Sequence, residues 1–212
     1  DVLRELVQNE FDAGGNRVSV TFGATGLTIT GNGSSIDASG WSRLGVILGT
    51  GRVVGGEAGA NVAAKQNGIG SKHFGLRSLF LFGDRIYVRS GGRMAVLDLP
   101  NLGTQNVTDL ASRGERGVSI HVPYRAEAFH TLVPFTVERE RESHDRLAGG
   151  LLATLVKLAL VGRRPGIREL TLRSVRTSRE LSWRQTSEPV RCKMTGVSAI
   201  RRTGRLTDRD VG

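Results

Sequence analysis

The chain has 212 residues and a formal net charge of +10, and 38% of its residues are hydrophobic. This length suffices for one folded core, while the longest apolar run, residues 147–161, contains Lys157 and is too short to span a bilayer. The single cysteine, Cys192, excludes an internal disulfide framework and fits a reducing compartment.

No signal peptide is recognisable, so the sequence predicts a cytoplasmic protein. Because the sequence begins on a helix without a methionine, we also expect an upstream segment to be missing. The charge raises the question of nucleic-acid binding, but the basic residues are mostly arginines spread along the chain, and aromatic residues make up only 5%. We therefore interpret the charge as a solvated arginine-rich surface, and nucleic-acid binding stays a less favoured alternative.

The first predicted element is a helix over residues 1–13. Glu5, Asn9 and Asp12 have the i, i+4, i+7 spacing that places them on one helical face. A different arc is apolar and suited to packing on a sheet; it consists of Leu3, Leu6, Val7 and Phe11. Glu10 intrudes on that apolar arc.

A carboxylate and a carboxamide one turn apart can divide the work of cleaving a phosphate bond. The carboxylate orients or deprotonates a water, and the amide oxygen holds a hard cation such as Mg²⁺. An ordinary amphipathic helix with a solvated polar face has the same pattern, so both interpretations stay open for this stretch alone.

Residues 14–16 predict a helix stop, and two alternating segments then predict strands at 17–22 and 27–30, joined by a hairpin at 23–26. Residues 31–37 form a tight glycine-containing turn where a ligand could lie against the backbone. A short helix is predicted at 41–48. The glycine-rich segment 49–70 is typical of a mobile lid or a disordered stretch.

A glycine loop then leads into a helix predicted at residues 72–79. Free N–H groups and the positive end of a helix dipole make such a junction an anion site, and Lys72 adds a positive charge there. Glycine-rich turns before helices are common in proteins without any ligand, so this pattern by itself leaves the ordinary alternative open.

The rest of the chain predicts further strands and one long helix. The strands are expected at residues 85–90, 94–99, 117–123, 167–175 and 181–185, with a polar loop at 100–115 and the helix ending at Val161. From residue 186 onward the periodicity fades, which predicts a linker or the start of another module.

The order of these motifs resembles the GHKL ATPase superfamily, most closely its sacsin-type, chaperone-like branch. The segment ELVQNEFDA, residues 5–13, is similar to the first motif, E-L-x-x-N-x-x-D-A. The resemblance implies that Glu5 activates water, that Asn9 holds Mg²⁺ and that Asp12 supports the site. A late strand containing Gly117 resembles the strand that reads G-T in the family, with Val118 in place of the threonine.

The segment GSKHFGLRS, residues 70–78, is similar to the third motif, G-x-x-G-x-G-x-x-S. Gly70 and Gly75 match it, and His73 stands where a middle glycine is usual. The residues that the resemblance assigns to nucleotide binding in this segment are Gly70, Lys72, His73, Phe74, Gly75 and Leu76.

The second motif of the family, D-x-G-x-G, corresponds to residues 31–35. Asn32 and Gly33 match and are implied to bind the nucleotide. Gly31, however, stands where the family has the aspartate that accepts a hydrogen bond from the adenine amino group. Asp37 or a bound water is the candidate replacement.

The resemblance implies an α+β fold for residues 1–185: a two-layer α/β sandwich of the Bergerat type, with a mixed, mostly antiparallel sheet, helices on one face and the N-terminal strand missing. It implies a module that binds ATP and Mg²⁺, hydrolyses ATP slowly, and signals through its lid to other domains or a partner subunit. Residues 186–212 would be the linker or following module.

Two other functions stay open. The glycine at position 31 and His73 motivate a non-hydrolysing, nucleotide-gated or degenerate binding module. The charge motivates a DNA-associated ATPase, which would bind DNA most tightly at low salt. Histidine-kinase activity is the least supported, and the absence of clustered ligand spacing argues against a zinc site.

Overall fold

The computed structural model describes residues 2–47, 76, 78–99, 106–111, 116–125, 167–186, 188, 190–194, 197–201 and 203–211. Within these ranges lie two α-helices, α1 (Val2–Asp12) and α2 (Ala38–Ile47), and a short 3-10 helix, Leu79–Leu81. The strands are β1 (Arg17–Phe22), β2 (Gly26–Gly31), β3 (Arg85–Ser90), β4 (Arg93–Asp98), β5 (Asn106–Asp109), β6 (Val118–Pro123), β7 (Glu169–Ser174), β8 (Arg179–Gln185), β9 (Val190–Met194), β10 (Val197–Arg201) and β11 (Gly204–Asp210).

Nine of these strands form one mixed sheet in the order β11-β8-β7-β1-β2-β6-β3-β4-β5. β1 and β7 pair in parallel, and the other neighbours in this sheet pair antiparallel. β9 and β10 form a separate antiparallel pair. The centre of the sheet, β1 with β2 and β6, lies next to the glycine-containing turn that follows β2.

One face of the sheet is apolar because paired strand positions carry branched aliphatic side chains. Val20 is paired with Ile29, Ile29 with Ile120, and Ile120 with Val88, and all four are buried. Residues that are paired across strands point to the same face. The four side chains therefore form a continuous apolar row across β1, β2, β6 and β3.

The opposite face of the same strands is polar. Thr28 is paired with His121, and His121 with Tyr87. The Thr28 hydroxyl lies 3.0 Å from His121 Nδ1, and the Tyr87 and His121 rings are 6.2 Å apart. This alternation of apolar and polar positions is what the strand periodicity predicted.

Both helices contribute to the buried cluster on the apolar side. Leu6 and Val7 of α1 are 7% and 2% exposed, and Trp41 and Leu44 of α2 are 5% and 7% exposed. They share one cluster with the strand residues. None of the helices in the described ranges is both long and apolar enough to cross a membrane.

The predicted two-layer α/β sandwich with helices covering one face is wrong. The described chain is mostly one large mixed sheet, accompanied by only two short α-helices. Part of the reason is that strands form where a polar loop and a linker or following module were predicted: β5 lies within residues 100–115, and β11 pairs with β8. β11 is exposed along its whole length, so it lacks the apolar alternation by which a strand is recognised.

The other predicted strands, the first helix and the short helix at 41–48 are present in the structure, with bounds that differ by up to three residues. β1 has the predicted bounds, and α2 begins three residues before the predicted start at residue 41. The predicted lid at 49–70, nearly all of the helix at 72–79 and the long helix ending at residue 161 lie outside the described residues.

Candidate functional site

A cavity of about 370 Å³ lies beside α1, between that helix, the end of β2, the turn after it and α2. We call it the α1 cavity. Its lining is apolar on the sheet side and polar on the turn side. The lining residues are Leu6, Asn9, Glu10, Ala13, Val18, Ile29, Thr30, Gly31, Ser34, Ser35, Ile36, Asp37, Gly40, Leu44, Leu76, Val88, Val118 and Ile120.

The C-terminal end of α1 fixes one rim of this cavity. Gly14 has a φ of +76°, a left-handed conformation that glycine adopts without strain. Its N–H donates to Phe11 O at 2.9 Å, and the N–H of Gly15 donates to Glu10 O at 2.9 Å. This is the Schellman pattern of helix termination, and it confirms the predicted helix stop.

The turn after β2 is tied to that helix end. The Asn32 side-chain oxygen accepts hydrogen bonds from the N–H groups of Asn16 (3.0 Å) and Arg17 (2.9 Å). Its Nδ2 donates to Asn16 Oδ1 at 2.8 Å. Ser34 N–H donates to Ala13 O at 2.9 Å. Asn32 therefore clamps the turn to the start of β1, and it is not among the lining residues of the cavity.

The other side of the turn is held by β3 and β6. Ser90, which is 5% exposed, accepts a hydrogen bond from Ile36 N–H at 2.9 Å and donates to Gly117 O at 2.6 Å. Gly117 has a φ of +107°, and a Cβ there would overlap the carbonyl oxygen of Gly31. The backbones of β2 and the segment before β6 can approach this closely only because residue 117 is glycine.

Two carboxylates among the described residues line the α1 cavity, and the first is Asp37. Its Oδ1 accepts from Gly40 N–H at 2.6 Å, and its backbone oxygen accepts from Trp41 N–H at 3.0 Å. Asp37 is thus the N-cap of α2, a position where aspartate satisfies free N–H groups and interacts favourably with the helix dipole. One of its oxygens is already engaged in the protein.

The second carboxylate belongs to Glu10, which is only 7% exposed. Its Oε1 accepts a hydrogen bond from the N–H of Gly33, and the backbone N–H of Asn32 also bonds the carboxylate. Burial raises the pKa of Glu10 above its ordinary value, and the two backbone N–H groups oppose part of that rise. Glu10 is a buried acid held against the glycine turn.

The residues predicted for the site fall into three groups. Asn9 is exposed on α1 and lines the cavity, as does Leu76. Asp12, Asn32 and Gly33 lie on elements that border the cavity but are not in its lining. The backbone of Glu5 belongs to α1, while its side chain and the predicted residues Gly70, Lys72, His73, Phe74 and Gly75 lie outside what the structure describes.

The sequence pattern did not assign Glu10 or Ser90 to the site. Glu10 could have been identified from the sequence, because it is an acidic residue on the otherwise apolar arc of α1. Such a residue is buried only if the fold supplies donors for it. Ser90 left no signal, since its bonds to Ile36 and Gly117 join segments far apart in the sequence.

The described residues contain no group of three or more His, Cys, Asp or Glu side chains that could hold a metal. Mg²⁺ commonly keeps several waters and binds through one or two protein oxygens together with substrate phosphates. The Asn9 carboxamide, exposed at the cavity, is an oxygen ligand of that kind. Among the described residues, the donors fit a cation that arrives with a phosphorylated ligand, and they do not fit a metal bound by the protein alone.

No protein-family model and no curated protein matches the sequence. Among solved structures, the chain is similar to one titled as the N-terminal domain of a DNA repair protein, with a TM-score of 0.43 and 17% identity. The alignment covers 82% of this chain and 47% of the other, so this chain spans about half of that structure. A likeness of this degree transfers neither fold nor function to the chain.

Proposed function

We propose that this chain is a nucleotide-binding module that takes ATP with Mg²⁺ in the α1 cavity and hydrolyses it slowly. The observation that carries the proposal is the convergence of Asn9 on α1 with Gly31, at the start of the glycine turn, in one cavity. These two elements, remote in sequence, are the ones that resemble the first two motifs of the GHKL superfamily. The cavity volume, about 370 Å³, is within the range of small-molecule sites.

Different walls of the cavity suit different parts of a nucleotide. Ile29, Val88 and Ile120 form an apolar surface on which a flat heterocycle can pack. Asn9 is exposed and carries the carboxamide oxygen that would hold Mg²⁺. When bound, the cation would neutralise phosphate charge.

Hydrolysis would depend on Glu5, one helical turn before Asn9 on the same face of α1. Its carboxylate would orient and deprotonate the attacking water, a contribution of roughly 10²–10⁴ in rate. A domain of this kind would couple nucleotide binding to movement of neighbouring domains or of a partner subunit. We also propose a cytoplasmic location, because the chain has a single cysteine and it is free.

Calorimetric titration with ATP, ADP and GTP, with and without Mg²⁺, tests the proposal. We expect ATP binding that strengthens with Mg²⁺, and we expect Asn9→Ala to lose that strengthening while still binding the base. Glu5→Ala should bind ATP and turn it over at a rate lower by roughly 10²–10⁴. If none of the three nucleotides binds, the proposed function is refuted. Binding without turnover in the unaltered protein would leave a nucleotide-gated module that does not hydrolyse ATP.

A further inference from the structure

The carboxylate of Glu10 occupies a cradle made by three glycines. A Cβ on Gly15 or Gly31 would overlap atoms of the Glu10 carboxyl group, and a Cβ on Gly33 would lie 2.8 Å from Oε1. Glycine at these three positions leaves the space that the acid fills. A side chain at position 31 and the Glu10 carboxylate are therefore alternative occupants of the same volume.

The cradle holds the acid where it borders the α1 cavity. The N–H groups of Gly33 and Asn32 bond the carboxylate from the turn, and Glu10 itself is part of the cavity lining. An ionised carboxylate only accepts hydrogen bonds, so its complement in a ligand is a group with N–H or O–H donors. Other residues of the same lining, among them Leu6 and Ile29, are apolar and favour a flat ring over a strongly hydrated group.

We propose that Glu10 determines ligand specificity in the α1 cavity, because its carboxylate accepts a hydrogen bond from the exocyclic amino group of a purine base. This inference rests on the proposed ATP-binding function and names the residue that reads the base. Asp37 is the other acid among the described lining residues, but the atoms nearest to a Cβ at position 31 belong to Glu10 and not to Asp37. Glu10 is thus the carboxylate that takes the place of a side chain at position 31.

The test compares ATP with purine riboside triphosphate, which lacks the amino group but is otherwise the same molecule. A hydrogen bond to a charged acceptor should make the unaltered protein bind ATP roughly 10–100-fold more tightly. Glu10→Met, similar in length but without an acceptor oxygen, should reduce that ratio to near one. Glu10→Gln keeps one acceptor oxygen and should retain an intermediate ratio. Glu169→Gln changes a partly buried glutamate on β7 that pairs with Arg17 and is not among the described lining residues, and this control should keep the full ratio.

Moving the carboxylate to another residue is a stricter test. It shows whether the preference depends on where the carboxylate lies in the cavity or on which residue carries it. The double variant Glu10→Ala with Gly31→Asp places an acid in the same volume from β2 instead of α1. We expect Glu10→Ala alone to lose the preference for ATP and the double variant to regain at least part of it. Gly31→Asp alone should destabilise the fold, since two side chains would then compete for one space.

The outcomes separate the two proposals. If the unaltered protein binds neither triphosphate, both the function and the role of Glu10 fail. If it binds both with equal affinity, or if Glu10→Met and Glu10→Gln keep the full preference for ATP, the function stands and the inference about Glu10 is overturned. A preference lost in Asp37→Asn but kept in the Glu10 variants would likewise overturn it and assign the role to Asp37.

Discussion

Burial of the Glu10 carboxylate in a cavity lined partly by apolar side chains costs stability when the group is ionised. Its pKa is raised in the folded protein, so between its ordinary value of 4.5 and the raised value the folded state binds more protons than the unfolded state. The contribution of this group to stability is then fully present below pH 4.5 and is lost as the pH rises through the raised pKa.

The corresponding prediction compares the unaltered protein with Glu10→Gln by urea denaturation between about pH 4 and pH 8. The glutamine introduced in the variant does not titrate, so the free energy of unfolding of the unaltered protein should fall relative to the variant as the pH rises. Asp37 also lines the cavity and is present in both proteins, so the difference between them reports the change at position 10. A difference that does not change with pH, or that grows, would contradict the burial argument.

Two glycines with positive φ make a second comparison at the residue scale. Gly14 has a φ of +76° and open space around the position that a Cβ would take, whereas Gly117 has a φ of +107° and no room for a Cβ. Gly14→Ala should therefore cost about 1 kcal/mol of backbone strain. Gly117→Ala should cost on the order of 2–4 kcal/mol, since overpacking against the Gly31 carbonyl is added. Equal losses in denaturation midpoints would show that the close approach at Gly117 is not required.

At the scale of elements, β11 extends the sheet although its own side chains are exposed. Its backbone pairs with β8 through all seven of its residues, from Gly204 to Asp210. Arg179 of β8 forms a bidentate pair with Asp208 at 2.8 and 2.5 Å, which raises the pKa of the arginine and lowers that of the aspartate. Both side chains are in solvent, so hydrogen bonding of the backbone, more than this pair, holds β11 in place.

Trp183 of β8 is the buried residue next to β11, and it is 4% exposed. It is paired with Leu170 of β7 on one side and with Leu206 of β11 on the other. Trp183→Ala should cost about 3–5 kcal/mol, as for other large core residues. Leu206 is 60% exposed, so Leu206→Ala should change stability by no more than about 0.5 kcal/mol. Chemical denaturation of both variants measures the contrast. Similar losses would mean that β11 belongs to the core, against its observed exposure.

At the scale of the whole molecule, the net charge of +10 attracts polyanions whether or not a specific site exists. A ligand that binds only the folded state at about 100 times its Kd adds about 2.7 kcal/mol to stability. For a chain of this length that raises the Tm by roughly 5–10 °C. We expect ATP with Mg²⁺ to produce such a rise and to keep most of it when salt is added.

Inorganic triphosphate is the control for this measurement, since it carries the phosphates without the base. Its effect on the Tm should be smaller and should decline with ionic strength, because screening weakens contacts between exposed charges. A rise as large with triphosphate as with ATP would assign the effect to charge and would remove the support for a base-binding cavity.

The elements that have a strong period of their own were predictable from sequence. α1 and α2 have an apolar face, and β1 alternates between buried and partly exposed residues, so each local pattern agrees with its final environment. The placement of Asn9 at the cavity follows from the same regularity, because a helical position determines which way a side chain faces once the apolar face is packed.

The tertiary structure alone decided what depends on contacts between distant segments. β11 is polar and exposed, so only its pairing with β8 makes it a strand. Asn32 could have faced a ligand, yet its hydrogen bonds to Asn16 and Arg17 turn it into a clamp. In the sequence, Glu10 could be recognised only as an acidic residue on the otherwise apolar arc of α1. Its position against Gly31 arises because the helix end, the turn and the sheet meet there, and such a meeting has no signature in the order of residues along the chain.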